Sequence, residues 1–139
     1  HGRVLDAWLK SDSEDGAAAL DGMSAAIGYF RSLGARCFLP LWEARRAMVA
    51  AEVGNRACAE EALGCADADR GASGEVWAES EVEHARASVL QLQGAAAAVI
   101  ERALQAAIGM ADRRGTPAWR RRAEQALQEF QQQHATQGT

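Results

Sequence analysis

Residues 62–71 read Ala-Leu-Gly-Cys-Ala-Asp-Ala-Asp-Arg-Gly, and two other segments of the chain share this frame of an Ala-Leu pair followed by an arginine and a glycine. Successive Ala-Leu pairs lie 43 and 41 residues apart, a spacing that is typical of stacked helix pairs. Each segment predicts the inner part of a helix that ends near its glycine. The segments run from Ala19-Leu20 to Gly34, from Ala62-Leu63 to Gly71 and from Ala103-Leu104 to Gly115.

The composition favours helices along the whole chain. The 139 residues are 48% hydrophobic, but only 6% are aromatic and only two are proline. Alanine is the strongest helix former, and its small side chain lets helices approach closely. A chain of this length can bury the core of one domain. We therefore expect a single domain over residues 1–139.

The charge balance and the cysteines narrow the class of protein. A net charge of −4 makes nucleic acid an unexpected partner, because phosphate contacts need a basic face. Three cysteines without a C-x-x-C pair favour reduced thiols in the cytoplasm. No apolar run is long enough to span a bilayer, so no membrane contact is expected. The start at His1 predicts a fragment of a longer chain.

Apolar stripes with the period of an α-helix predict seven helices. Short links between them force neighbouring helices to be antiparallel. The predicted fold is therefore all-α, with about six to seven helices in antiparallel hairpins that stack as a tetratricopeptide-like α-solenoid. In chain order the stripes are Val4, Leu5, Trp8 and Leu9; Leu20, Met23, Ile27 and Phe30; Leu41, Ala44, Met48 and Ala51; Cys58, Ala62, Cys65 and Ala66; Ala78, Val82, Ala85, Val89 and Leu92; Ile100, Leu104, Ala107, Ile108 and Ala111; and Trp119, Ala123, Leu127 and Phe130.

Glycines, prolines and small polar residues predict where these helices end and begin. The polar residues 131–139 have little to bury and are expected to fray. Predicted stops are Gly34, Gly54, Gly71, Gly94 and Gly115, and predicted starts are Pro40, Asn55, Ser73 or Gly74, and Thr116 with Pro117.

The order of several short phrases along the chain resembles the tetratricopeptide-like C-terminal region of bacterial multidomain signalling proteins. These phrases are His1-Gly2 with Leu5 and Trp8; Gly34-Ala35 with Pro40; Ala50-Ala51-Glu52 with Gly54; Ala62-Leu63; Glu79-Ser80-Glu81-Val82 with Arg86; Ala103-Leu104; and Trp119 with Arg122-Ala123.

This resemblance implies a parent protein in which a nucleotide cyclase domain or a helix-turn-helix regulator domain is joined to a predicted NTPase and then to helical repeats. Where the family has a leucine and then glycine-glutamate, this chain has Ala85, Ala87 and Ser88, which predicts thinner packing there. No part of a cyclase, nucleotide-binding or DNA-binding domain is expected within the chain itself.

One basic cluster stands out, across the turn at Gly115. Arginines at the end of one helix suit its negative end, whereas three arginines early in the next helix oppose its dipole. We interpret the cluster as a candidate docking site for an acidic protein partner, a nucleotide phosphate or nucleic acid. This arginine patch consists of Arg113, Arg114, Arg120, Arg121 and Arg122.

Other polar residues predict no chemistry. Cys58 and Cys65 lie seven residues apart on one helix face and are expected to be buried, since free cysteine packs as a small hydrophobe. His84 is expected to be solvated. Glu79, Glu81 and Glu83 are expected to form an exposed acidic face. We therefore predict no catalytic, cofactor-binding or metal-binding residues.

Tryptophans recur near the starts of predicted helices, at Trp42, Trp77 and Trp119. They are interpreted as packing anchors between helices, with a ligand-binding groove as the less favoured alternative.

The leading functional hypothesis is a non-enzymatic regulatory or protein-interaction module. It would bind a protein partner, other domains of the parent chain or a second copy. The alternatives are a fragment of a parent enzyme with adenylate cyclase or ATPase activity, and a nucleic-acid-binding domain that uses the arginine patch. Because the stripe around Trp8 has lost its upstream partner, we also expect a homodimer with Trp8 near the contact.

Overall fold

The computed structural model of the chain describes residues 16–35, 37–73 and 77–137. These ranges contain six α-helices and no strand, so the described fold is all-α. None of their helices is long and apolar enough to cross a membrane. The helices are α1 (Gly16–Ser32), α2 (Leu39–Glu52), α3 (Arg56–Ser73), α4 (Glu79–Leu92), α5 (Ala97–Arg114) and α6 (Pro117–Gln137).

Four of the five predicted glycine stops end helices. Gly34, Gly54, Gly94 and Gly115 have φ between 68° and 76°, the left-handed conformation that glycine adopts without a steric penalty. Gly71 was predicted to end a helix and does not, because α3 continues to Ser73. The following helix begins at Glu79, later than the predicted start at Ser73 or Gly74.

The predicted helix starts are confirmed at three places. Pro40 lies in the first turn of α2, where its missing N–H leaves no hydrogen bond unmade. The side chain of Asn55 accepts a hydrogen bond of 3.1 Å from the backbone N–H of Cys58 and so caps α3. Pro117 is the first residue of α6, but the Thr116 hydroxyl donates backwards to the carbonyl of Ala111, at 3.2 Å.

Helix α4 lies at the centre of the described structure. It packs against α2, α3, α5 and α6, and from Glu79 to Leu90 it has no exposed residue. Helix α2 packs against α1, α3 and α4, while α5 and α6 pack against each other. Every side of α4 therefore meets another helix, so any polar residue on it has to find a partner inside the protein.

The core is built mainly from small side chains. Fifteen of the 26 buried hydrophobic residues of the described ranges are alanine, which brings helix backbones close together but buries little apolar area per residue. Larger side chains such as Met23, Val49 and Val82 are fully buried among them. One hydrophobic cluster joins α1 to α4, and a second lies among α4, α5 and α6.

Three sequence predictions concern the ends of the chain and the core. The first predicted helix, with Trp8, lies outside the described residues. Helix α6 reaches Gln137, and its side chains from residue 131 to residue 135 are all exposed, so fraying there stays a prediction. Leu104 is buried, with 2% of its surface exposed, whereas Leu63 is half-buried at the edge of the first cluster.

Replacing Leu104 by alanine should therefore cost about 2–5 kcal/mol of unfolding free energy, the usual range for a fully buried leucine. Leu63→Ala is the matched control at the corresponding repeat position and should cost less, because Leu63 is only half-buried. Urea melts monitored by circular dichroism measure both. A midpoint for Leu104→Ala that matches the parent within error would contradict the assigned core.

Candidate functional site

The structure turns one arginine of the patch toward the interior. Nη1 of Arg122, in α6, lies 2.9 Å from Oε1 of Glu81 in α4. The same carboxylate oxygen accepts a hydrogen bond of 3.2 Å from Nη2 of Arg45 in α2. The Glu81 side chain is 1% exposed and that of Arg45 is 10% exposed. One buried carboxylate thus joins three helices, in what we call the Glu81 junction (Arg45, Glu81, His84 and Arg122).

Burial controls the protonation of the Glu81 junction. It raises the pKa of Glu81, although the guanidinium groups of Arg45 and Arg122 act in the opposite direction. Burial also lowers the pKa of Arg45 to about 10. For His84, burial and then the charges of Arg122 and Arg45 lower the pKa to about 4, so this imidazole is neutral at pH 7.

Two acceptor atoms of the Glu81 junction have no donor. Oε2 of Glu81 and Nδ1 of His84 are buried without a hydrogen-bond partner in the part of the chain that the structure describes. The two residues lie three apart on α4, where side chains share one helix face. Each of these two atoms can accept a hydrogen bond from a donor that reaches this face. The junction also holds three groups with shifted pKa values, Arg45, Glu81 and His84.

Two predictions about these residues are therefore wrong. His84 was expected to be solvated, but it lies half-buried against the arginines of α2 and α6. Glu79, Glu81 and Glu83 were expected to form an exposed acidic face, but Glu81 is buried and the side chains of Glu79 and Glu83 are 25% and 15% exposed. The physical reason is the central place of α4, because helices pack on every side of it.

Neither the burial of Arg45 nor the role of Glu81 was predicted from the sequence. A local signal existed in α2, where Arg45 and Arg46 interrupt an otherwise alanine-rich stretch between Ala44 and Ala47. Charged residues inside such a stretch need a buried partner. Nothing local identifies that partner, since Glu81 follows Arg45 by 36 residues.

A second ionic cluster joins α1, α2 and α3. Arg31, near the end of α1, donates to Asp69 in α3 at 3.0 Å and to Glu43 in α2 at 2.9 Å. Glu43 is 1% exposed and also accepts from Nε of Arg46 at 2.7 Å. Asp69 is buried as well. The cluster fixes the end of the first helix on the next two and so serves the fold.

The predicted pair of buried cysteines lies beside this cluster. Cys58 and Cys65 are both half-buried in α3, and Nη1 of Arg46 lies 3.4 Å from the sulfur of Cys58. Burial raises the pKa of the Cys65 thiol, so it stays protonated at pH 7.

Aromatic side chains form a row across the starts of α2, α4 and α6. The ring centroid of Phe38 lies 5.3 Å from that of Trp77, which in turn lies 5.9 Å from that of Trp119. Trp77 and Trp119 thus anchor neighbouring helices, as predicted, whereas Trp42 packs on the first hydrophobic cluster instead. Phe38 holds φ at 67°, a strained value for a non-glycine residue.

The remaining arginines of the patch stay at the surface. The side chains of Arg114 and Arg120 are 44% and 46% exposed and pair with Glu79 at 3.7 Å and with Asp112 at 2.7 Å. Arg113 and Arg121 are also exposed, and neither has an ion pair with any described residue. The predicted partner-binding role of the patch stays a prediction, as does that of Trp8, which lies outside the described residues.

Comparisons with protein-family models, with curated proteins and with solved structures each found no match. The resemblance to helical repeats of bacterial signalling proteins therefore stays a prediction. In the part of the chain that the structure describes, no three histidine, cysteine, aspartate or glutamate side chains are grouped so that they could hold a metal ion.

Removing the Glu81 side chain should destabilise the protein more than removing an exposed carboxylate. Glu81→Ala leaves Arg45 and Arg122 without the side chain that accepts their hydrogen bonds, and breaking a buried pair in this way costs about 3–5 kcal/mol. Glu60→Ala is the control, because the Arg56–Glu60 pair is exposed and such pairs contribute about 0–1 kcal/mol. Equal midpoints in urea for the two variants would show that Glu81 does not hold the helices together.

Stability should depend on pH through His84. Its folded pKa is about 4, below its ordinary value of 6.5, so the unfolded chain binds the proton first as pH falls. Stability is then lost between about pH 6.5 and pH 4, by about 2–3 kcal/mol. Glu81 acts in the opposite direction, since its raised pKa makes its contribution larger in acid.

The loss of unfolding free energy on acidification is compared between the parent and His84→Gln. Because both chains keep Glu81, the difference between their losses reports on His84 alone. Urea melts at pH 7.5 and pH 4.5 should show the parent losing more stability than His84→Gln. If both chains lose the same amount, His84 is not held neutral in the folded protein.

Proposed function

We propose that the chain is a non-enzymatic regulatory or scaffolding module of a bacterial signalling protein. It binds a protein partner through antiparallel helical hairpins that stack as a tetratricopeptide-like solenoid. The observation that carries the proposal is the order of helix contacts. Helix α2 packs on α3 and α4, and α4 packs on α5 and α6, so alternate helices touch in succession. This order is what stacked helix pairs produce, because each pair contacts the next.

A repeated ion pair supports the same arrangement. Glu43 and Arg46 in α2 and Glu83 and Arg86 in α4 each form an i, i+3 pair, at 2.7 Å and 3.2 Å. Corresponding residues lie 40 positions apart, close to the spacing of the Ala-Leu pairs. Both arginines also reach α3, through Glu61 at 3.6 Å and Asp67 at 2.7 Å. The same i, i+3 ion pair, repeated at nearly the spacing of the Ala-Leu pairs, favours two copies of one structural unit.

The distribution of charged groups favours binding over catalysis. Glu43 and Glu81, the most deeply buried carboxylates of the described ranges, each join helices through arginine. They therefore hold the scaffold, while exposed side chains along α3, α5 and α6 remain available for a partner. Extended surfaces of this kind are what helical repeats use for binding.

Photo-crosslinking in extracts of the source cells tests the proposal. A photoreactive phenylalanine analogue replaces one exposed residue at a time on three helices, at Tyr29, Glu60 and Arg121. We expect at least one position to capture a defined protein, and excess unlabelled chain to compete for it. Capture that the unlabelled chain does not reduce at any position would count against a protein-binding role.

The purified chain should neither hydrolyse ATP nor form a cyclic nucleotide. It lacks a G-x-x-x-x-G-K-[ST] phosphate loop and a paired carboxylate motif for catalytic metals. Phosphate release and cyclic nucleotide formation are measured with Mg²⁺ and Mn²⁺ present. Turnover that is abolished by substituting one residue of the chain, such as His84→Gln, would replace this proposal with an enzymatic one.

A further inference from the structure

We infer that the groove between α3 and α4 binds a helix of the partner protein that carries an apolar residue and, one turn away, a basic residue. This inference rests on the proposed function and assigns the surface and the chemistry of the partner. The groove has a volume of about 370 Å³, and both helices line it equally. Its lining residues are Glu60, Leu63, Gly64 and Asp67 from α3, and Arg86, Val89, Leu90 and the C-cap residue Gln93 from α4.

Two polar contacts fix how the walls of this groove face each other. Nε2 of Gln93 donates to Oε2 of Glu60, and Nη2 of Arg86 donates to Oδ1 of Asp67 at 2.7 Å. On each helix the lining residues follow the spacing i, i+3, i+4 and i+7, which is one helix face. The two faces therefore run antiparallel, with a polar contact at each end of the groove.

The middle of the groove is apolar and has a gap at Gly64. The antiparallel register places Leu63 opposite Leu90 and Gly64 opposite Val89. Both leucines are half-buried, so each leaves part of its side chain open to a partner. A Cβ built on Gly64 would meet nothing within 4 Å outside its own stretch of helix. An apolar side chain of a partner can therefore enter this gap and contact both leucines.

The charged residues of the groove favour a basic partner. Asp67 and Arg86 pair across one end, so neither charge is in surplus there. At the other end the side chain of Glu60 is 43% exposed and contacts a neutral amide and, at 3.5 Å, the exposed Arg56. An exposed pair of this kind contributes little, so a basic residue of a partner can replace Arg56. That residue would lie one helical turn from the gap at Gly64.

The shape of the groove favours a helix as the occupant. Its walls are two antiparallel helix faces, and a helix packs into such a trough through side chains at i and i+4. An apolar residue over Gly64 and a basic residue one turn away then meet the two leucines and Glu60 together. An acidic helix would instead place like charges beside Glu60 and its neighbour Glu61, whose side chain is 69% exposed.

The test measures binding of three fluorescein-labelled peptides to the full chain by fluorescence polarisation. The first is a fifteen-residue alanine-based helix with one central leucine and an arginine four residues before and after it, so that either orientation can reach Glu60. The second has glutamate in place of both arginines, and the third has alanine in place of the leucine. We expect the first to bind with an affinity that falls with added salt, the second not to bind, and the third to bind at least tenfold more weakly.

Filling the gap locates the apolar contact. Gly64→Leu should weaken the first peptide at least tenfold, and the open space at Gly64 accommodates the larger side chain. Gly71→Leu is the matched control, because Gly71 lies seven residues further along the same helix, also faces open space and does not line the groove. It should change the affinity less than twofold.

Charge reversal locates the polar contact. Glu60→Arg should also weaken the first peptide at least tenfold. Glu129→Arg is its control, because Glu129 is exposed on α6 and, like Glu60, accepts a hydrogen bond from a glutamine. It should change the affinity less than twofold. Circular dichroism confirms that each variant is folded.

Three results would overturn the inference: no binding of the first peptide, equal binding of the glutamate peptide, or equal weakening by the control variants. A dimer in light scattering that Gly64→Leu converts to a monomer would assign the groove to a second copy instead. These results are separable from a failure of the proposed function. A partner captured from Tyr29 or Arg121, but not from Glu60, in the crosslinking experiment would keep the protein-binding role and reject this groove.

Discussion

The described structure depends on one buried carboxylate. Glu81 sits on the central helix, 1% exposed, and its Oε1 oxygen meets arginines from α2 and α6. Taking a charge out of water costs several kcal/mol, and only well-placed opposite charges offset it. The fold must therefore bring α2 and α6 to the same side of α4. The observed placement brings the guanidinium groups of Arg45 and Arg122 to the same carboxylate oxygen, so the Glu81 junction ties α2, α4 and α6 together.

The alanine-rich core explains why such specification is needed. Alanine stripes let helices slide past one another at little cost, since their surfaces have few large knobs and holes. In this chain the ionic clusters fix the positions of neighbouring helices relative to one another. Arg31 ties the end of α1 to Glu43 and Asp69, and Arg86 ties α4 to Asp67 in α3. The aromatic row connects the starts of α2, α4 and α6 in the same way, and Phe38 contributes to it from a backbone conformation with a positive φ of 67°.

The sequence predicted features with local causes and missed those that depend on distant partners. The helical class, four of the five glycine stops and the Asn55 cap follow from residues within one turn of each other. Gly71 misled the prediction because a glycine in a helix is tolerated when the neighbouring turns pack. The burial of Glu81 and His84 had no local signal. It follows from the packing of other helices around α4, which also brings in Arg45 and Arg122 from 36 and 41 residues away, so only the packed structure could reveal it.

The fate of the arginine patch follows from helix geometry. Successive residues on an α-helix point about 100° apart, so three consecutive arginines cannot share one surface. Arg122 turns inward to Glu81, Arg120 turns to Asp112 on α5, and Arg121 faces the groove beside Ile108. The three consecutive arginines therefore do not form one basic surface. Arg122 binds a buried carboxylate, Arg120 forms a surface ion pair, and Arg121 is exposed. The division leaves Arg113 and Arg121 exposed and without an ion pair to any described residue.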